Sequence, residues 1–331
     1  MSKTPRRLML AAAAFAFGVT AISASVPSFA ATSATSAAAA TSTAADTSAA
    51  AAASTTYPVQ ITAANGTVTI PSRPIAIVSL SPTATEMLYA IGAGSQVKAV
   101  DSYSDYPKNA PRTKLNAEEP NVEAIVAYKP DLVVVAGDTT GLTAQLAKFG
   151  IPVLSDPAAT DLSQEYQQFD ELGEATDHPA QARSEVTKIK GQIAQIVANA
   201  PKHSKPITYY FELEQTYYSE TSSTFIGQVL GLLGMKSIAD AAKGAASSGG
   251  YPQLSAEFII KANPDYIFLA DTICCGQNAH KVAKRPGWAV LSAVKDDRVV
   301  GLNDDIASRW GPRIVDLLRT VAEAVKRHGA G

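Results

Sequence analysis

A fifteen-residue pattern occurs twice in this 331-residue chain and constrains its fold more than any other feature. Val122 to Ala136 reads VEAIVAYKPDLVVVA, and Ala256 to Ala270 reads AEFIIKANPDYIFLA. The copies align without a gap, Glu123 with Glu257, Ile125 with Ile259, Pro130 with Pro264, Asp131 with Asp265 and Ala136 with Ala270. Each reads as a short helix, a proline stop and a buried strand. Proline cannot continue a helix, and it pushes the residue before it out of the α region. The apolar run after each Asp suits a strand covered on both faces. A unit that occurs only twice is no solenoid period. It predicts two similar lobes, each with an acidic residue in the same place, and two lobes make a cleft.

The rest of the chain alternates in the same way. Ile75–Leu80, Val97–Val100, Leu132–Ala136 and Pro152–Leu154 read as strands, separated by helical stretches at Pro82–Ile91, Asn121–Tyr128 and Leu142–Phe149. Glycines 92 and 150 close two of these helices. After a helical stretch at Leu162–Leu172, His178 to Ala200 is the longest helical pattern, with Val186, Ile189, Ile193 and Ile196-Val197 on one stripe of period 3.6. Alternation then resumes with strands at Ile207–Leu213, Tyr266–Ala270 and Val299–Leu302. Helices are expected at Ser223–Leu233, Ser255–Ala262 and Pro312–Arg327, the last carrying Ile314, Leu317, Leu318 and Val321 on its apolar face. Strands alternating with helices argue an α/β fold with parallel sheets. The long helix falls between the two copies of the repeat and is the natural connector.

Before the fold comes a leader. Lys3, Arg6 and Arg7 precede an apolar run from Leu8 to Val19, and Ser28-Phe29-Ala30 offers small residues at a cleavage site. This reads as a secretory signal peptide over 1–30, too short to span a membrane. No cysteine follows that run, so a lipid anchor on an N-terminal Cys is not expected. Residues 31–56 are almost wholly Ala, Ser and Thr and read as a disordered linker. The mature organisation is then an N-terminal lobe over 57–177, a connector over 178–204 and a C-terminal lobe over 205–331. Its only cysteines, Cys274 and Cys275, are adjacent. Neighbouring Cα atoms lie about 3.8 Å apart, short of the ~4.4–6.8 Å usual for a disulfide, so the pair reads as a local loop feature.

Catalytic signatures are missing. The four histidines, His178, His203, His280 and His328, are scattered, and no GxSxG, HExxH or Walker A sequence is present. No catalytic residue, no resident metal and no cofactor are expected. A net charge of −2 gives no footprint for nucleic acid. Polar and aromatic residues do gather at the carboxyl ends of the expected strands: Ser81, Thr83, Ser102, Tyr103, Asp105, Tyr106, Tyr217, Tyr218, Tyr251, Asp304, Asp305, Arg309 and Trp310. In open α/β sheets that is where ligands bind, with aromatic rings giving flat apolar contact and charged groups giving orientation.

At these residues the chain resembles a known family. The segments IVSLSPTATEMLYAIGAG, VDSYSDYP, NVEAIVAYKPDLVVVAG and IASRWGPRIVDLLRTVAEAV are similar to substrate-binding proteins of cobalamin, iron-siderophore and haem ABC importers, over Ile75 to Val325. SYSDYP and SRWGPR look most like the cobalamin branch. The resemblance implies two Rossmann-like lobes joined by one long helix, the class III periplasmic-binding-protein architecture. It implies a secreted, monomeric protein that captures a corrinoid between its lobes and delivers it to an ABC permease, without bond chemistry. It also implies ligand-binding roles for Tyr103, Tyr251, Asp304 and Asp305, and permease docking by Glu123 and Glu257; Ser81, Thr83, Tyr217 and Arg309 join the expected ligand-binding set from their place at strand ends. Acids in a first helical turn also favour the helix dipole, by about 0.3–1 kcal/mol each. The alternatives are a ferric-siderophore or haem receptor, with His280, Tyr217 or Tyr218 as axial ligands, and a two-lobed chelatase-like enzyme, against which the shortage of His counts.

Overall fold

The computed structural model describes residues 54–328 apart from Thr139. The expected signal peptide and all but the last three residues of the expected linker lie outside the described residues. At Thr55 the chain is already anchored, its backbone N–H donating to Asp177 Oδ1 at 2.7 Å.

The first described elements are an antiparallel hairpin, β1 (Val59–Ala63) and β2 (Gly66–Ile70). The sequence reading placed no element there. Yet Asn65-Gly66 between alternating residues is a hairpin signal, and Gly66 takes φ 99°, which glycine adopts freely.

The first lobe then runs β3 (Ile77–Leu80), α1 (Pro82–Ala90), β4 (Val97–Val100), α2 (Val122–Val126), β5 (Leu132–Val135), α3 (Leu142–Ala147), β6 (Val153–Ser155) and α4 (Leu162–Thr176). Helix α5 (Pro179–Asn199) connects it to the second lobe. That lobe holds β7 (Ile207–Glu212), α6 (Phe225–Gly231), β8 (Met235–Ser237), α7 (Ala256–Ala262), β9 (Tyr266–Leu269), α8 (Ala279–Ala283), α9 (Ser292–Lys295) and β10 (Val299–Gly301). Helices α10 (Asp304–Ala307) and α11 (Ile314–His328) complete the described chain.

Both lobes are built on four-stranded parallel sheets, ordered β4-β3-β5-β6 and β8-β7-β9-β10. Counted within each lobe, both orders are second, first, third, fourth. The two copies of the repeat are α2–β5 and α7–β9, the third strand of each sheet with the helix before it. The reason each copy keeps its Asp is visible. Asp131 accepts the backbone N–H groups of Ile75 and Ala76 at 2.8 and 2.9 Å. Asp265 accepts the N–H and the hydroxyl of Thr208 at 2.8 and 2.7 Å. In both lobes this carboxylate pins the third strand to the start of the first. The residue before each repeat proline, Lys129 or Asn263, has positive φ, 50° and 46°, which turns the helix sharply into its strand.

Strands β3, β5 and β9 are buried along their whole length, as sheets covered by helices on both faces require. The connector buries Ala182, Val186, Ile189 and Ile193, three of them on the stripe read from sequence. Helix α11 buries Ile314, Leu317, Leu318 and Val321 and packs on the connector. At about 1.5–3 kcal/mol for each large apolar side chain fully removed from water, these two helices bind the lobes into one core.

Candidate functional site

Residues that follow the strands of both lobes meet, and the polar residues expected at strand ends are found in two kinds of setting. One group forms a bridge between the lobes. Glu86, the single charged residue of α1, is only 3% exposed. It accepts Arg313 Nε at 2.7 Å and Arg309 Nη1 at 2.8 Å, both from the second lobe. Arg309 also donates to Asp305 Oδ1 at 2.7 Å, to the Tyr103 carbonyl at 3.0 Å and to Asp105 Oδ1 at 3.3 Å. The Arg313 guanidinium lies over the Tyr106 ring, 4.3 Å from its centroid. Burial raises the Asp305 carboxyl above its ordinary range, with Arg309 opposing and Asp105 adding to the rise.

Around this bridge the SRWGPR segment packs on the first lobe. Trp310 Nε1 donates to Gln168 Oε1 at 2.8 Å. A Cβ on Gly311 would come within 3.4 Å of Thr83 Cγ2, so Thr83 lies at the contact between lobes and is itself buried. Ser81 is buried too. It is the N-cap of α1, its hydroxyl accepting the Ala84 N–H at 3.2 Å. Thus Tyr103, Asp305 and Arg309 come together, with Thr83 beside the same segment, whereas the Ser81 side chain is committed to its helix.

The second lobe supplies a separate group. Glu212, at the end of β7, is fully buried and takes a two-pronged pair from Arg285, whose second nitrogen is 2.6 Å from Oε1. Arg285 stacks 4.7 Å over Trp288, and the Tyr217 ring stacks on the same indole at 5.7 Å. Asp271, just past β9, is buried with neither carboxylate oxygen partnered. Burial and the neighbouring Glu212 push its carboxyl up to about 7. Asp304 accepts the backbone N–H groups of Thr272, Ile273 and Cys274 at 2.8, 3.0 and 2.7 Å, fixing the turn that holds the cysteines. Both cysteines are free and exposed in that turn, and partial desolvation together with Cys275 and Asp304 pushes the Cys274 thiol up. Tyr251 is half-buried, its hydroxyl raised to about 12 by burial and by Glu220. Tyr103, Tyr106, Tyr218 and Ile273 remain exposed.

The sequence reading missed Glu86, Arg313 and the Glu212–Arg285 pair. The signal for the first was present, since a lone carboxylate inside TATEMLYAIG calls for a buried partner. Among the described residues, no group of three or more His, Cys, Asp or Glu is arranged to hold a metal ion.

Glu123 and Glu257 sit elsewhere, both exposed in the first turn of α2 and α7. Their helices are capped alike. Asn121 Oδ1 accepts the Ala124 N–H at 2.8 Å, and Ser255 Oγ accepts the Phe258 N–H at 3.1 Å. Its own backbone N–H and the Ser255 hydroxyl hold the Glu257 carboxyl below its ordinary range.

Comparison with known proteins places this geometry. Residues 77–306 match the model of a family described as periplasmic binding protein. An uncharacterized ABC transporter substrate-binding lipoprotein of Bacillus subtilis is 33% identical over 81% of this chain and 86% of its own length. The vitamin B12-binding protein of Photorhabdus laumondii is 30% identical over 78% of this chain and 90% of its own. A crystal structure from Staphylococcus epidermidis, of a possible iron-binding periplasmic solute-binding protein, superposes with a TM-score of 0.66 at 28% identity, over 77% of this chain and 99% of that one.

Proposed function

We propose a function from one premise: the chain belongs to the periplasmic binding protein family, and within it to the substrate-binding proteins of ABC importers. Members of this family bind and deliver; they are not enzymes, and they work outside the cytoplasm. No helix among the described residues is long and apolar enough to cross a membrane. The finer reading is that this protein, acting as a monomer, captures a corrinoid between its lobes and hands it to the permease.

The observation that carries the ligand class is the bridge cluster. Two exposed tyrosines, Tyr103 and Tyr106, offer flat apolar faces beside Asp105, Asp305 and Arg309. A corrin presents a broad apolar ring edged with amides, and rings beside charged hydrogen-bonding groups suit both parts. The 30% identity to a vitamin B12-binding protein supports the same class. Tyr251 and Tyr217 contribute ring surface from the second lobe. In Tyr103→Ala, and more weakly in Tyr251→Ala, corrinoid affinity should fall by about 1–3 kcal/mol with the fold kept. Unchanged affinity in both variants would place the ligand elsewhere. A ferric complex is the second reading, favoured by the likeness to the possible iron-binding protein.

Docking on the permease rests on Glu123 and Glu257. They are exposed at equivalent places in two lobes of the same topology, so they form a matched pair of negative points. Such charges mainly set orientation and association rate. Replacing both with Arg should abolish uptake by the assembled importer and leave ligand affinity in solution unchanged. Normal uptake by the double variant would remove this role.

A further inference from the structure

Past the end of β6 lies a cavity of about 180 Å³ that the ligand reading leaves unused. Its polar lining is Thr62, Ser155, Asp156, Gln164, Gln167, Gln168 and Glu171, and no Lys, Arg or His is among the residues around it. Asp156 is 3% exposed, and neither of its carboxylate oxygens has a hydrogen-bond partner. Glu171, half-buried on α4, is in side-chain contact with it. Gln167 donates its amide to Glu171 Oε1 at 2.7 Å. Asp170 and Glu174 deepen the negative field at Glu171.

A buried carboxylate with no partner is among the costlier groups a fold can hold. Here burial and the second carboxyl both push Asp156 well above its ordinary range. One proton shared by the pair would neutralise part of the charge but would leave the space beside it unexplained. That space, at about 30 Å³ for each water, has room for an ion with part of its hydration shell. The side-chain oxygens that line it are carboxylate, amide and hydroxyl, with no sulfur and no imidazole. Oxygen-only sites of this kind suit hard divalent cations, and calcium above the smaller magnesium, because calcium accepts irregular shells of six to eight oxygens.

We propose that this cavity binds a calcium-class divalent cation, held by Asp156 and Glu171 with the Gln167 amide oxygen and water completing its shell. Its position gives it a structural role. Thr62 to Ala64 of the hairpin, the end of β6 and helix α4 all line the cavity. One turn of α4 carries both Gln167, beside the ion, and Gln168, which accepts Trp310 from the second lobe. A bound ion therefore fixes the helix on which the second lobe leans.

The test uses the full chain, freed of metal with a chelator and then titrated with calcium chloride. The melting temperature should rise with calcium concentration. Terbium, which takes calcium sites, should show luminescence sensitised by Trp310, the indole bonded to the cavity's Gln168. Asp156→Asn and Glu171→Gln should each lose both responses, while Asp316→Asn, which removes an exposed acid on α11, should keep them. Should Asp156→Asn fold poorly, Glu171→Gln alone decides. No calcium-dependent shift in the wild-type chain, or an undiminished shift in Glu171→Gln, overturns the proposal and leaves the two carboxyls as a proton-sharing pair.

Discussion

Asp131 and Asp265 were read from sequence as part of a repeat; in the fold they are pins, each tying its third strand to the start of the first. Next to them the copies differ in quality. Asn263 takes its left-handed conformation with its side chain bonded to Ser292, accepting the Ser292 N–H and donating to its hydroxyl, each at 2.8 Å. Lys129 takes the same conformation at φ 50° with a residue poorly suited to it. A non-glycine residue there costs about 1–2 kcal/mol, which Asn partly escapes. Lys129→Asn should therefore stabilise the protein, by up to about 1 kcal/mol in denaturant unfolding. A loss of stability would mean that Lys129 has a role its backbone does not reveal. Positions of single residues were legible where spacing alone decides them, as with Glu123 and Glu257, which share a place in the first turn of α2 and α7. They were illegible where the partner is far away in sequence. Nothing near Glu86 announces Arg309 or Arg313; the cap on α1, by contrast, is a local signal, since Ser81 stands directly before Pro82 at the start of a helix.

Elements were read better than residues, because their signals are local. Strands β4 and β5 and the long helical pattern His178–Ala200 follow from apolar periodicity, proline and glycine, and match the observed elements to within a residue or two at each end. Short pieces such as β8, α8 and α10 went unread, since three to five residues carry too little periodicity. Helix α4 shows what periodicity conceals. Its Glu165 falls at a core position, fully buried with neither oxygen partnered, and burial pushes its carboxyl up to about 8. Glu220 is pushed to the same value, chiefly by burial. The sign follows from proton linkage. In the fold these carboxyls hold a proton that the unfolded chain releases near pH 4.5. Their contribution is thus complete below that pH and is lost as pH rises toward about 8. Melting temperature should fall between pH 5 and pH 9. In Glu165→Gln, which keeps the shape and removes the titration, the fall should be smaller. An unchanged pH profile in that variant would show that Glu165 has a counter-charge in solution.

At the scale of the whole molecule, two lobes of one topology are joined by α5 and held together at the cleft by Glu86, Arg309 and Arg313. The duplication was legible because both copies kept the same proline and aspartate; the latch was not, because it is made only when the lobes meet. Glu86→Gln leaves two largely buried guanidiniums short of a counter-charge, a loss on the order of 3–5 kcal/mol for a buried pair. That variant should unfold at lower denaturant and show a larger radius of gyration in solution scattering. A wild-type radius together with wild-type stability would mean that the latch does not hold the lobes. The central claim is that the space between these lobes takes a corrinoid. Calorimetric titration of the purified protein with cobalamin, and in parallel with haemin and a ferric siderophore, tests it most directly. The account predicts one cobalamin bound tightly per chain and little or no heat from the others; no heat with cobalamin beside clear binding of haemin or the ferric siderophore would contradict it.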